Sequence, residues 1–90
     1  MSIAVVNIKG TANERPPRPY ETWTEFWEGH TGKKFGKCSN VNCCADAEDG
    51  AHVKPYGIIG QHRYITPLCR MCNKSDDIIY VEKESLVQID

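Results

Sequence analysis

Two stretches decide the fold of this 90-residue chain: Cys38-Ser39-Asn40-Val41-Asn42-Cys43-Cys44 and Cys69-Arg70-Met71-Cys72. The second has the tight Cys-x2-Cys spacing, while the first offers a partner for Cys38 at either Cys43 or Cys44. Two close pairs of thiolates from separate segments are what a tetrahedral structural zinc ion requires. The sequence therefore predicts one structural Zn²⁺, and it leaves the choice between the two adjacent thiols open. The predicted ligands are Cys38, Cys43 (Cys44 as the alternative), Cys69 and Cys72.

The length of the chain agrees with a metal-stabilised fold. Ninety residues predict a single domain, 1–90, which buries only about 60–65% of the surface of its unfolded chain. A structural zinc site contributes on the order of 10 kcal/mol at neutral pH, directly coupled to folding. A small core and a metal site therefore support each other.

Cysteine count and hydropathy bear on the compartment. Five is an odd number of cysteines, whereas a secreted disulfide framework pairs its cysteines. The apolar run of residues 3–8 is short and contains Asn7, so we expect no signal peptide. No stretch of about 20 apolar residues is present, so we expect no membrane span. These features predict a reducing, cytoplasmic location.

Apolar patterning predicts a small α+β fold. A strand at residues 3–8 and a proline-rich, extended linker make up residues 1–19. Trp23, Phe26 and Trp27 recur at helical spacing, which predicts an amphipathic aromatic helix over residues 20–29 that stops at Gly29.

The region after the first cysteines predicts a hairpin followed by a helix. Strands at 51–53 and 62–66 are joined by a loop at 54–61, and Pro67 is expected to end the second strand. A helix of two turns then runs from residue 68 to about 76. Residues 77–90 contain two further short strands, at 78–81 and 86–89.

Charge is segregated along the chain. Residues 30–74 carry seven basic and three acidic side chains, whereas residues 75–90 carry one basic and five acidic ones. A positive middle segment favours phosphate contacts with DNA or RNA, and a solvated surface is the alternative. A protein partner that binds the proline-rich linker or the acidic tail is another alternative. The predicted nucleic-acid contacts are Lys54, Arg63, Arg70 and Lys74.

Residues 38–76 resemble the HNH (ββα-metal) endonuclease family. The resemblance is carried by Gly50-Ala51-His52-Val53 and by Leu68-Cys69-Arg70-Met71-Cys72-Asn73-Lys74. It implies a zinc-stabilised treble clef, in which a looped cysteine pair, a β-hairpin and a Cys-x2-Cys helix form the core. Small bacterial or phage proteins of this kind are also similar in having a flanking aromatic helix.

The resemblance also implies a chemistry, phosphodiester cleavage assisted by Mg²⁺ or Mn²⁺. By position, His52 matches the general base and Asn73 matches a metal ligand on the helix. Two positions depart from the family pattern, because Ala51 stands where an aspartate is common and Tyr64 where an asparagine is common. We therefore expect an HNH-like zinc module without a complete active site, which binds nucleic acid or protein. A metal-dependent nuclease and a protein-interaction adaptor are the alternatives.

Overall fold

A computed structural model describes residues 1–11, 13–57 and 62–89 of the chain. In this part, five strands form one antiparallel sheet in the order β4-β1-β2-β3-β5. Two α-helices and one 3-10 turn accompany the sheet, which makes a compact α+β domain. The elements are β1 (Ser2–Asn7), α1 (Trp23–Thr31), β2 (Asp49–Pro55), β3 (Tyr64–Leu68), α2 (Arg70–Asn73), β4 (Ile79–Glu82), the 3-10 turn (Lys83–Ser85) and β5 (Val87–Gln88).

The sheet has an apolar cluster on each face. Strand alternation sends every second side chain to the same face. On one face the buried residues include Val5, Val53 and Val81, which pack with two of the cysteines. On the other face Ile65 packs against Phe26 and Trp27 of α1. The cysteine segments and the aromatic helix are therefore anchored on opposite sides of the sheet.

Helix α1 begins and ends later than the sequence predicts. The Thr22 hydroxyl accepts a hydrogen bond from the Glu25 N–H, which caps the first turn. The prediction that the helix stops at Gly29 is wrong, because it is Gly32 that adopts the left-handed conformation, with φ 71°. Gly29 has another role: a Cβ there would lie 2.7 Å from the Tyr20 ring.

Pro67 lies within β3, so the prediction that it ends the strand is wrong. It pairs with Gly50 across the hairpin, and its carbonyl accepts hydrogen bonds from the Ser39 N–H and hydroxyl at 2.8 and 2.7 Å. The backbone of Pro67 thus faces the cysteine loop rather than β2. Because the missing N–H is not needed in the β2–β3 ladder, a proline is tolerated at this position.

Helix α2 is a single turn, not the two turns predicted for residues 68–76. The Asn7 side chain donates hydrogen bonds to the carbonyls of Cys72 and Ser75 at 2.9 and 3.0 Å. A longer helix would use the Cys72 carbonyl for its own backbone ladder. The Ser75 hydroxyl also accepts a bond from the Asp77 N–H, which turns the chain toward β4.

The linker before α1 contains a turn near each end, so it is not extended throughout, contrary to the prediction. The Tyr20 N–H donates to the Pro17 carbonyl at 3.1 Å, and the Glu14 N–H donates to the Thr11 carbonyl at 3.0 Å. The predicted loop at 54–61 starts later than expected, because residues 54 and 55 belong to β2, and residues 58–61 lie outside the described part. No helix among the described residues combines the length and the apolar character that crossing a membrane requires.

Candidate metal centre

Four cysteine sulfurs converge at one end of the sheet. The Sγ atoms of Cys38, Cys43, Cys69 and Cys72 all lie within 4.8 Å of one another. A tetrahedral zinc ion with Zn–S bonds of about 2.3 Å places its sulfurs about 3.8 Å apart. The Cys43 and Cys69 sulfurs are 3.9 Å apart, close to that value. The four residues are thus positioned to bind a metal ion.

The two adjacent cysteines of the first segment have different surroundings. Cys43 is half-buried and its sulfur belongs to the group of four, whereas Cys44 is exposed and its sulfur does not. The Cys43 N–H donates to the Asn40 carbonyl at 3.0 Å, which closes a turn between the first two ligands. The structure therefore assembles the group with Cys43 and leaves Cys44 at the surface.

Each half of the site is built by a different local structure. The Cys38 N–H donates to the Ala45 carbonyl at 2.9 Å, so the first segment forms a closed loop. Cys69 directly follows β3 and caps α2, where its sulfur accepts the Cys72 N–H at 3.4 Å. The Cys-x2-Cys spacing thus coincides with one turn of helix that presents both sulfurs to the loop.

The sulfurs differ in their proton affinity. Burial raises the pKa of the Cys38 thiol and raises that of Cys72 to about 12. The backbone N–H of Cys72 lowers the pKa of Cys69. Metal binding requires thiolates, so it must release protons from Cys38 and Cys72, whose pKa is raised.

Asn40 is a residue of the site that the sequence reasoning missed. Its side-chain amide donates to the Cys72 sulfur at 3.4 Å, and its side-chain oxygen accepts the Asn42 N–H at 3.0 Å. It therefore joins the loop of the first segment to a ligand of the second. The only signal in the sequence is an asparagine two residues after Cys38, a residue type that often bonds to nearby backbone.

The donor set fits zinc and a structural role. Thiolate ligands select soft or borderline metals, and four of them in tetrahedral reach are typical of a closed structural zinc site. With four protein ligands, no coordination position is left for a substrate. The zinc ion would fasten the loop that carries Cys38 and Cys43 to the β3–α2 junction.

His52 and Asn73 line the same cavity, of about 410 Å³. His52 is 6% exposed, and its Nε2 has no hydrogen-bond partner among the described residues, the nearest charge being Glu14 Oε1 at 3.9 Å. Burial lowers the pKa of His52, so the ring is neutral at pH 7. The Asn73 amide donates to Asp49 Oδ2 at 3.3 Å. Asp49 is a carboxylate of this cavity that the sequence reasoning did not single out.

The two residues approach the cavity from opposite faces of β2. The His52 ring packs edge-on against Trp23 of α1, with centroids 4.7 Å apart. Its neighbours Ala51 and Val53 belong to the cluster on the cysteine side, next to α2 and Asn73. Within residues 1–11, 13–57 and 62–89, the four cysteines are the only group of three or more His, Cys, Asp or Glu ligands within 4.8 Å.

The four predicted nucleic-acid contacts come from β2, from the segment before β3 and from α2 with its C-cap. Arg63 binds the Glu14 carboxylate at 3.0 and 3.3 Å, and Arg70 binds Asp49 at 3.3 Å. Lys54 is exposed on β2, and Lys74 is exposed at the end of α2.

Comparisons of this chain with protein-family models, with curated proteins and with solved structures gave no match. The resemblance to the HNH family is thus a property of the sequence pattern alone. What the structure adds is the cysteine group, whose geometry is that of a metal site.

Proposed function

We propose that this protein is a zinc-stabilised, HNH-like treble-clef module that binds nucleic acid and lacks a complete active site. The observation that carries the proposal is the convergence of four cysteine sulfurs from two segments 25 residues apart. The order of the parts supports a treble clef, because a cysteine loop precedes the β2–β3 hairpin and a Cys-x2-Cys turn follows it.

The incomplete active site is supported by what surrounds His52. Ala51 offers no ligand atom and is 1% exposed within the core. His52 faces Trp23, away from the side of β2 on which Asn73 contacts Asp49. A general base and a metal ligand that act on one phosphate must converge on it, and here they do not share a face.

Nucleic acid is favoured over a protein partner by the contacts that the acidic tail and the proline-rich linker, the two segments that would bind protein, make within the chain. In the acidic tail, Asp76 pairs with Lys9, and Glu82 pairs with the N-terminal amine at 3.4 Å. In the linker, the Glu14 carbonyl accepts the Trp23 indole N–H at 3.2 Å. Both segments thus make polar contacts within the chain, although Asp76 and Glu82 stay exposed. Lys54 and Lys74, from the basic segment 30–74, are exposed and form no ion pair with any described residue.

Metal analysis tests the zinc centre. We expect protein purified without added metal to contain one equivalent of zinc per chain. Replacement by Co²⁺ should give the intense thiolate charge-transfer absorption and the visible bands of a tetrahedral sulfur site. Less than half an equivalent of zinc, together with folding that is insensitive to a chelator, would contradict the centre.

Titration of the zinc-loaded protein with DNA at two salt concentrations tests the partner. Binding that weakens as salt rises supports phosphate contacts, because each contact releases counterions. Absence of binding at low salt would favour the protein-interaction adaptor instead.

A metal-dependent endonuclease is the second candidate, and one observation favours it. His52, Asn73 and Asp49 line one cavity, so a base and two oxygen donors border the same space, although from different faces of β2. In this alternative a bound Mg²⁺ or Mn²⁺ would stabilise the charge that develops on the phosphate. The neutral His52 ring would take the proton of the attacking water.

Plasmid cleavage separates the two candidates. Incubation of the wild type with Mg²⁺ or Mn²⁺ should leave the plasmid intact if the active site is incomplete. Cleavage that is lost in both His52→Ala and Asn73→Ala would establish the nuclease, provided both variants keep their zinc. Cleavage that persists in both variants would indicate a contaminating enzyme.

A further inference from the structure

Part of the sheet is covered on one face only. Val5, Val53 and Val81 are buried on the cysteine side. Strand alternation places their neighbours on the opposite face: Ala4, Val6, Lys54 and Tyr80. Helix α1 covers that face over β2, β3 and β5, which are its packing partners among the described strands. Among the described residues, the face of β1 and β4 beside Lys54 is partly open, because Tyr80 and Lys54 are exposed there.

Two exposed tyrosines flank Ala4 on this partly open face. Tyr80 opposes Ala4 in the β1–β4 register, and it is 48% exposed. On the other side the Tyr56 N–H donates to the Ala4 carbonyl at 2.9 Å, and Tyr56 is 56% exposed. With strands about 4.8 Å apart, the two tyrosine backbones are about 10 Å apart. The small alanine between them leaves both rings accessible.

One unpaired cation lies beside the tyrosines. Lys54 opposes Val6, one row from Ala4 on the same face, and its side chain is exposed. It forms no ion pair with any residue that the structure describes. The nearby carboxylate of Glu82, at the end of β4, pairs with the N-terminal amine. The surface thus combines aromatic rings with one available positive charge.

We propose that Tyr56, Tyr80 and Lys54 form a binding surface for single-stranded nucleic acid. This proposal rests on the proposed function and names the form of nucleic acid and the residues that contact it. Each ring stacks on one base, and the ammonium group of Lys54 contacts a phosphate between or beside them. Only a single strand offers unstacked bases to such a surface, since a duplex keeps its bases stacked inside.

The chemistry of the surface favours this occupant over another protein. Between the tyrosines the sheet presents Ala4 and Val6, which are small and already half-buried. Ile78, just before β4, adds one exposed aliphatic side chain, at 41% exposure. A protein interface normally has a larger apolar patch at its centre. A cation next to aromatic rings complements a phosphate next to bases.

Fluorescence anisotropy with the full zinc-loaded chain tests the surface. The probe is a labelled ten-nucleotide oligothymidylate, compared with a duplex of the same length. We expect tighter binding of the single strand. Tyr56→Ala and Tyr80→Ala should each weaken it roughly 5- to 100-fold, the loss of one stacked base, whereas Tyr80→Phe should bind as the wild type does.

Two variants that each remove one positive charge, Lys54→Ala and Lys33→Ala, test the role of Lys54. Lys54→Ala should make the slope of log affinity against log salt shallower by about 0.7, the value for one phosphate contact on a single strand. Lys33→Ala removes an exposed lysine from the segment after α1, and it should leave the slope unchanged. Zinc content and circular dichroism of each variant show whether it is folded.

Each other outcome overturns the proposal in a different way. Single-strand binding that is unchanged in the folded tyrosine variants would overturn this surface and leave nucleic-acid binding intact. Preference for the duplex would overturn it as well. Absence of binding to both probes would overturn the surface together with the proposed partner class. Self-association that Tyr80→Ala abolishes, without binding to the probe, would assign the surface to a second copy of the chain.

Discussion

At the scale of single residues, neighbours in sequence have different chemical roles. Cys43 and Cys44 are adjacent, yet only the Cys43 sulfur lies with those of Cys38, Cys69 and Cys72. The turn closed by the Asn40 carbonyl directs one side chain inward and the next one to solvent. Spacing alone allowed either thiol, because both lie within reach of Cys38 along the chain.

The pair Cys43→Ser and Cys44→Ser tests this difference. We expect Cys43→Ser to lose zinc and most of its cooperative folding, since a structural zinc site supplies on the order of 10 kcal/mol. Cys44→Ser should keep one equivalent of zinc and change the free energy of unfolding by less than about 0.5 kcal/mol, as at most surface positions. Equal zinc loss in both variants, measured by metal analysis and urea unfolding, would contradict the assignment.

The buried His52 predicts a pH dependence of stability. Burial lowers its pKa below the ordinary value of about 6.5, so the unfolded chain binds a proton more readily than the folded one. Above pH 6.5 the ring is neutral in both states and costs no stability. As the pH falls from 6.5 toward the lower pKa of the folded state, the unfolded chain takes up the proton first, and the folded protein loses stability. His52→Gln should show a shallower loss of stability between pH 6.5 and 5 than the wild type.

Urea unfolding at each pH, with excess zinc, measures this effect. Protonation of the cysteines weakens zinc binding in the wild type and the variant alike, so the difference between them isolates the histidine. His62→Gln, at an exposed position, serves as the matched control. A wild-type profile retained by His52→Gln would show that the ring is not held neutral by burial.

At the scale of secondary structure, the elements end where distant side chains bond to their backbone. Helix α2 ends after one turn, where the Cys72 carbonyl accepts the Asn7 side chain of β1 and the Ser75 N–H, and the Ser75 carbonyl also accepts Asn7. Strand β3 continues through Pro67 because its backbone faces Ser39 rather than β2. Local propensity correctly indicated a Cys-x2-Cys turn and an aromatic helix. It could not indicate where α2 and β3 end, because the residues that bond to their backbone are 28 to 68 positions away in the sequence.

Asn7→Ala tests the control of α2 by β1. Removing the amide takes away the donor to the Ser75 carbonyl and one of two donors to the Cys72 carbonyl, which keeps the Ser75 N–H at 3.2 Å. We expect a loss of about 1–3 kcal/mol in the free energy of unfolding. Asn13→Ala, at an exposed position of the linker, should change it by less than about 0.5 kcal/mol. If Asn7→Ala also changed the free energy of unfolding by less than about 0.5 kcal/mol, water would replace the hydrogen bonds of the amide with no loss of stability.

At the scale of the whole molecule, the cysteine group belongs to the larger core. Cys38 and Cys69 are buried in the same cluster as Val5, Val53 and Leu68, which come from three strands. A metal ion bound by the four sulfurs would therefore stabilise the sheet as well as the loop. In a chain of this size the core alone gives little reserve of stability.

Removal of zinc should therefore unfold the domain in one step. We expect a strong chelator to abolish the far-ultraviolet signal of the sheet and the near-ultraviolet signal of Trp23 and Trp27 together. Addition of zinc should restore both. Loss of one signal before the other would show that the α1 side of the sheet, with Phe26 and Ile65, is stable without the metal.

Sequence alone predicted the chemistry of the ligands, because cysteines in two close pairs are typical of a soft tetrahedral metal site. It also determined the α+β character and the aromatic helix, since apolar periodicity is a local property. The three-dimensional fold was needed to show which of two adjacent thiols joins the site, and that His52 and Asn73 lie on opposite faces of β2. It was also needed to place Tyr56 and Tyr80 on one face of the sheet. Strand register and the packing of α1 set these positions, and both depend on contacts between residues far apart in the chain.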